Sequence, residues 1–220
     1  MRKYWYVVMW SILLVCGLMV WGCGHWPWDR GKREGPNVLV NPGFDENPWD
    51  TGWTIDTFAS SDEPIAIAEA AADTGRSLPK SCLLKAIAYK YSGGTGGFSG
   101  CSRVMISQTF NEIRDCKVKA YVKFRLSSDP EIDCGDTCKV SIQVLVNSQW
   151  ATIWEVCCPM GEDYVAQYVW AEVSTTIVKE NVSGIRFCAF TRYENTCTFP
   201  GEGACNQFWI DDVYVGEIIK

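Results

Sequence analysis

From Asn37 onward, apolar and polar residues alternate in short runs, and Gly, Pro, Asn and Asp separate the runs. A period of two marks strands with one buried face. In residues 117–126, Val118, Ala120, Val122, Phe124 and Leu126 point one way. Lys117, Lys119, Tyr121, Lys123 and Arg125 point the other. In residues 139–146, Val140, Ile142, Val144 and Val146 share a face. Asn147-Ser148-Gln149 then reads as a turn, and residues 150–156 return as its hairpin partner. Further alternating runs cover residues 81–89, 103–110, 164–178, 184–192 and 208–218, and residues 65–75 read as a strand followed by a turn. No segment carries a long amphipathic helical pattern, and no internal repeat is present. The pattern predicts an all-β fold, a β-sandwich of about eight to nine antiparallel strands.

The N-terminus departs from this pattern. Arg2 and Lys3 precede an uncharged apolar run from Tyr4 to Trp21, the layout of an export signal. A retained transmembrane anchor fits the same run, because about twenty apolar residues span a bilayer. The run ends Val20-Trp21-Gly22-Cys23, which resembles a bacterial lipobox, although Trp21 is larger than that motif usually carries. The resemblance implies cleavage after Gly22 and lipidation of Cys23. Residues 1–22 are then a signal peptide, 23–36 a lipidated cysteine and tether, and 37–220 the domain. Gly, Pro and mixed charge mark the tether as unfolded. The expected location is the bacterial cell envelope, exported and held to a membrane by lipid, at the outer membrane or cell surface.

Composition narrows the function. The chain has 220 residues, 47 % hydrophobic and 21 % charged, which suits one globular domain with an appendage. A net charge of −6 argues against nucleic acid as a partner, because neutralising phosphates needs a basic footprint. His25 is the single histidine, which removes most zinc-hydrolase, Ser/His and Cys/His chemistry. An enzyme would have to rely on carboxylates such as Glu155, Glu162, Asp163, Glu172 and Glu194, and strand spacing alone does not set their separation. The expectation is a protein without catalysis. The glycine run at residues 91–100 lacks the strand–loop–helix setting of a phosphate cradle.

Twelve cysteines are present, ten of them beyond the signal and Cys23. An even number on an exported chain implies disulfides. The short loops Cys134–Cys138 and Cys197–Cys205 are the expected bridges, and adjacent Cys157 and Cys158 would take different partners. A metal cluster of Cys134, Cys138, Cys157 and Cys158 is the alternative.

The two ends of the domain carry a family resemblance. Asn37 to Ile55, NVLVNPGFDENPWDTGWTI, resembles the opening strand of galactose-binding-like jelly rolls, carbohydrate-binding modules of the family 4 and 9 kind. Residues 208–215, FWIDDVYV, resemble their closing strand, Thr74–Ser77 their early turn, and Ser107–Phe110 their Gln-bearing strand. The resemblance spans residues 37 to 218. It implies a jelly roll whose two ends lie on neighbouring strands. It also implies a structural calcium held by the Gly43 carbonyl, Asp45, the turn at Gly75, and Asp211. Oxygen donors of this kind suit calcium. Trp49, Trp53 and Trp209 match scaffold positions of the resembled modules, which implies core packing.

A glycan is the ligand this resemblance implies. Sugar rings stack their C–H faces on flat aromatics and satisfy their hydroxyls with fixed polar groups. Trp150 and Trp154 lie four apart on one strand and are expected to share a face. Tyr121 among Lys119, Lys123 and Arg125 would make a cationic platform, and Tyr89 borders the glycine run. Each has a plain alternative in core packing or a solvated strand face. The sequence therefore leaves two readings open. One is a glycan-binding lipoprotein. The other is a structural or protein-interaction domain with an envelope protein as partner.

Overall fold

The computed structural model describes residues 33–59, 65–72, 75–76, 80–88, 98–127, 137–158, 164–195 and 204–219. Glu34–Ile218 forms one compact unit. The strands in chain order are β1 (Arg33–Glu34), β2 (Thr54–Ala59), β3 (Ile65–Ala72), β4 (Lys80–Ala88), β5 (Phe98–Ser127), β6 (Thr137–Val146), β7 (Gln149–Cys158), β8 (Tyr164–Asn195) and β9 (Ala204–Ile219). They pair in the order β3-β4-β9-β5-β8-β6-β7, with β2 also on β5. These ladders are antiparallel.

Where the sequence reads as separate strands, β5 and β8 each run unbroken through a corner. Their mutual register slips between Thr109 and Ile113 and again between Arg114 and Cys116. Asp115 and Lys179 adopt positive φ, 53° and 67°, and the Lys179 amide donates to the Asp115 carboxylate at 2.7 Å. Such slips bend a strand and raise its twist. The bend folds one ladder into two layers. The first layer holds β3, β4, β9, residues 116–127 of β5 and residues 164–177 of β8. The second holds β2, residues 98–109 of β5, residues 182–195 of β8, β6 and β7.

The apolar face of each strand turns into the space between the layers. Val118, Ala120, Val122, Phe124 and Leu126 are buried, as are Val140, Ile142 and Val144. Phe208 of the first layer meets Phe187 of the second at 6.3 Å and stacks on Trp154 at 6.0 Å. Polar groups also cross the core and hydrogen-bond there. The Thr191 hydroxyl donates to the Ala86 carbonyl at 2.8 Å. The Asn206 amide donates to the carbonyls of Lys139 and Phe190. The fold is the all-β sandwich that the alternation predicts.

The N-terminal segment closes against β9. The Val38 amide donates to Val215 at 2.9 Å. The Asn37 side chain donates to the Val213 carbonyl and accepts from the Val215 amide. Gln108 clamps the same segment from the other side, accepting from the Val40 amide at 2.7 Å and donating to its carbonyl at 3.0 Å. Trp53 is buried with its indole N–H on the Asn41 carbonyl, and its ring lies 5.1 Å from Phe44.

The hairpin at residues 146–149 forms as expected. Asn147 and Ser148 both have positive φ, the backbone of a tight two-residue hairpin turn. Register slips between Ile142 and Gln143, so Ile142 faces Trp154 while Gln143 faces Thr152. Ile153 is the extra residue, and it reverses the alternation along β7.

Cys138 is buried on β6, with its Sγ 4.0 Å from the Thr191 hydroxyl. Its alternation along β6 turns it into the core. Cys134 and Cys197 lie outside the described residues, and Cys205 is described only as a position on β9. Cys82 and Cys116 are free and buried, whereas Cys157 is exposed. Burial pushes the Cys116 thiol up to about 11. In the reduced native protein, a maleimide at about pH 7.5 should label Cys157 and spare Cys82, Cys116 and Cys138 until the chain is unfolded. Intact mass before and after denaturation reads this directly. Native labelling of all four would contradict the core placement.

Candidate functional site

Outward-facing side chains of the first layer include the cationic stripe. The structure spends most of it internally. Lys119 pairs with Glu34 at 2.6 Å. The Tyr121 hydroxyl donates to Glu172 at 2.5 Å, which holds the phenol above its ordinary pKa. Arg76 lies 3.5 Å over the Tyr121 ring and pairs with Asp212 at 2.8 Å. Lys123 sits 5.0 Å from the Trp170 ring and 5.1 Å from Trp209, and burial lowers its pKa. Arg125 is exposed. The face expected as a platform therefore has its central ring covered by Arg76 and Lys119 paired, while Arg125 stays exposed. Trp209 belongs to this outer face and not to the core, because its neighbours Phe208 and Ile210 take the inward positions.

The outer face of the second layer is differently built. The extra residue Ile153 separates the two tryptophans that the sequence places together. Trp154 turns into the core against Phe124 at 5.8 Å and Phe208 at 6.0 Å. Its expected ligand role is corrected to core packing. Trp150 stays outside. The Arg186 guanidinium lies over the Trp150 ring, 4.3 Å from its centroid, and its Nε donates to the Gln143 side-chain amide oxygen. The Gln143 amide in turn donates to the Thr152 hydroxyl at 3.1 Å. These residues form one row because Gln143 faces Arg186 across β6–β8 and Thr152 across β6–β7. Burial pushes the Arg186 pKa down, and the like charge of Arg103 adds to the effect. Trp150 also lines a cleft of 630 Å³ with Val146, Ile153 and Ile177.

A third arrangement gathers the residues expected around calcium. Asp211 is 0 % exposed. Its carboxylate accepts from the Arg76 amide at 2.7 Å and from its neighbour Asp212's amide at 2.8 Å. A β-carbon at Gly43 would stand 3.0 Å from the Asp45 carboxylate and 3.9 Å from that of Asp211. One at Gly75 would stand 3.3 Å from Asp211 and 2.5 Å from the Lys80 carbonyl. Glycine at both positions keeps the space before the carboxylates clear. The donors are all oxygens, the set a hard cation prefers. Among the described residues no three Asp, Glu, His or Cys side chains converge, so backbone carbonyls would have to complete the shell.

Several expected residues lie outside the described ones: Tyr89, Cys23, Cys134 and Cys197. The sequence reading missed Arg186, Gln143 and Arg103 as a group. Each is marked as outward by alternation, but they sit on strands far apart in the chain.

No family model matches the chain, and no curated protein matches it. Solved structures similar to it include the xylan-binding CBM22-1 domain of Paenibacillus barcinonensis Xyn10C, at 12 % identity and a TM-score of 0.42, covering 86 % of this chain and 98 % of that one. A non-crystalline-cellulose-specific module, CBM28, is similar at 10 % identity and a TM-score of 0.41, with 84 % and 98 % covered. TmCBM61, solved with β-1,4-galactotriose, is similar at 11 % identity and a TM-score of 0.38, with 83 % and 99 % covered.

Proposed function

We propose that this chain is a non-catalytic glycan-binding protein, and that the outer face of its second layer is the binding face. The observation that supports this is the row Trp150–Arg186–Gln143–Thr152. An indole offers a flat surface to the C–H face of a sugar ring. Beside it lie a guanidinium, an amide and a hydroxyl already oriented by their own bonds, the mixture that fixes a polyhydroxylated ligand. The first-layer face suits this less well, because the Tyr121 hydroxyl and the Lys119 ammonium are already taken by Glu172 and Glu34. The reading agrees with the family resemblance of residues 37–55 and 208–215. The Cys23 lipid anchor and envelope location are part of the proposal and rest on the N-terminal sequence.

Calcium is the proposed structural cofactor, held by Asp211 and Asp45 with carbonyls near Gly43 and Gly75. When bound it would supply positive charge between the N-terminal segment and β9 and take no part in chemistry. A protein partner is the second reading. It is favoured by Tyr168 and Val169, which are 68 % and 72 % exposed on β8.

Affinity electrophoresis of the folded protein through galactan, xylan and amorphous cellulose tests the first reading. Trp150→Ala should weaken retardation about tenfold or more, as the loss of one stacking ring implies. Tyr121→Ala should leave it unchanged. Binding that ignores Trp150 would move the face. Absence of any polysaccharide binding would favour the protein partner.

A further inference from the structure

Charge on the second layer's outer face runs against that of the chain. Arg103 on β5 and Arg186 on β8 stand on either side of Cys188, which faces Met105 across the ladder. Both arginines and Lys139 act on the Cys188 thiol, and the thiol itself is sunk to 8 % exposure. Neither guanidinium is fully answered. Arg103 reaches Asp56 at 3.4 Å, longer than the roughly 2.7–2.9 Å of a strong charge-assisted bond. Among the described residues the buried Arg103 Nε has no acceptor. Among the described residues Arg186 makes no ion pair, and the acceptor for its Nε is the neutral Gln143 amide. The first layer contrasts with this. There Lys119 has Glu34 at 2.6 Å and Arg76 has Asp212 at 2.8 Å. Arg103 thus holds its one carboxylate loosely, and partly buried Arg186 has no ion-pair partner among the described residues, an arrangement that costs free energy unless a ligand supplies negative charge.

We infer that the ligand of this face is an acidic polysaccharide, with a carboxylate or sulfate group between Arg103 and Arg186 and a sugar ring against Trp150. The inference rests on the glycan reading above and narrows it. The fork of a guanidinium matches two oxygens of either anionic group. Arg186 lies 4.3 Å from the indole, so one stretch of glycan covers both the charge site and the stacking site. An anion there would also lessen the repulsion between the two guanidiniums.

The test compares polysaccharides of different charge on the full-length protein in detergent. Polygalacturonate carries carboxylates, dextran sulfate carries sulfate esters, and galactan and xylan serve as neutral probes. At least one acidic polymer should bind more tightly than either neutral one and weaken steeply with salt. Arg186→Gln and Arg103→Gln should each lower its affinity about tenfold, the usual size of a lost charged hydrogen bond. Lys119→Gln, on the opposite face, should change nothing, which separates a site from general attraction. The stronger acidic arm identifies the anion. Equal binding of neutral and acidic polymers, unmoved by either arginine variant, would overturn the acidic assignment and leave the glycan reading standing. Equal loss from Lys119→Gln would place the charge site elsewhere and overturn it too. Binding of none by a folded protein would overturn both.

Discussion

Phe208→Ala is expected to lower the unfolding free energy by about 3–5 kcal/mol, the range for a large aromatic removed from a packed core. Phe208 is 0 % exposed and belongs to the first layer. Its ring stacks on Trp154 at 6.0 Å and meets Phe187 at 6.3 Å, both in the second layer. The substitution therefore removes a contact that joins the layers, and the rigid strands on either side cannot close the gap. Urea unfolding gives the number from the shift in midpoint at constant slope. Tyr168→Ala on the exposed edge is the comparison, and it should stay within about 0.5 kcal/mol of the parent. A Phe208→Ala loss no larger than that of Tyr168→Ala would mean that the layers do not pack through this ring.

Asp211→Ala carries the second large expected effect. The carboxylate is fully buried and receives two amide N–H groups, from Arg76 and Asp212. Alanine leaves both donors without this acceptor, at about 1–2 kcal/mol each, so a loss of about 2–4 kcal/mol is expected. The calcium proposal adds a separate readout. A cation bound only by the native state raises stability by about 2.7 kcal/mol at a hundred times its dissociation constant. The parent's melting temperature should therefore rise with calcium and fall with chelator, while Asp211→Ala should ignore both. If the parent melts at the same temperature in calcium and chelator, the clamp is wrong and only the hydrogen-bonding role survives. Gly75→Ala tests the cradle's shape, because its β-carbon would stand 2.5 Å from the Lys80 carbonyl. It should destabilise even without calcium.

Much of the fold was legible one strand at a time. The inward set Val118 to Leu126 and the turn at Asn147-Ser148 follow from local alternation and local backbone preference. The cradle of Gly43, Asp45, Gly75 and Asp211 was reached through family resemblance, and the structure brings those residues together. Trp209 was misassigned although its own alternation with Phe208 and Ile210 pointed outward. Trp154 was misassigned for a different reason. A spacing of four implies one face only while the ladder stays regular, and the extra residue at Ile153 breaks that rule. Nothing local in residues 150–156 announces a bulge, because it arises from pairing with β6.

By itself the sequence determined which segments are strands and which side of most strands is apolar, because side-chain alternation is written residue by residue. It also determined the acidic balance and the scarcity of histidine. Only the tertiary structure decided which outward faces keep free chemistry. Lys119 and Tyr121 look available in sequence and are taken by Glu34 and Glu172. Arg103 and Arg186 look unremarkable in sequence and meet around Cys188. Pairing between distant strands sets these meetings, and no single strand encodes its partner's register.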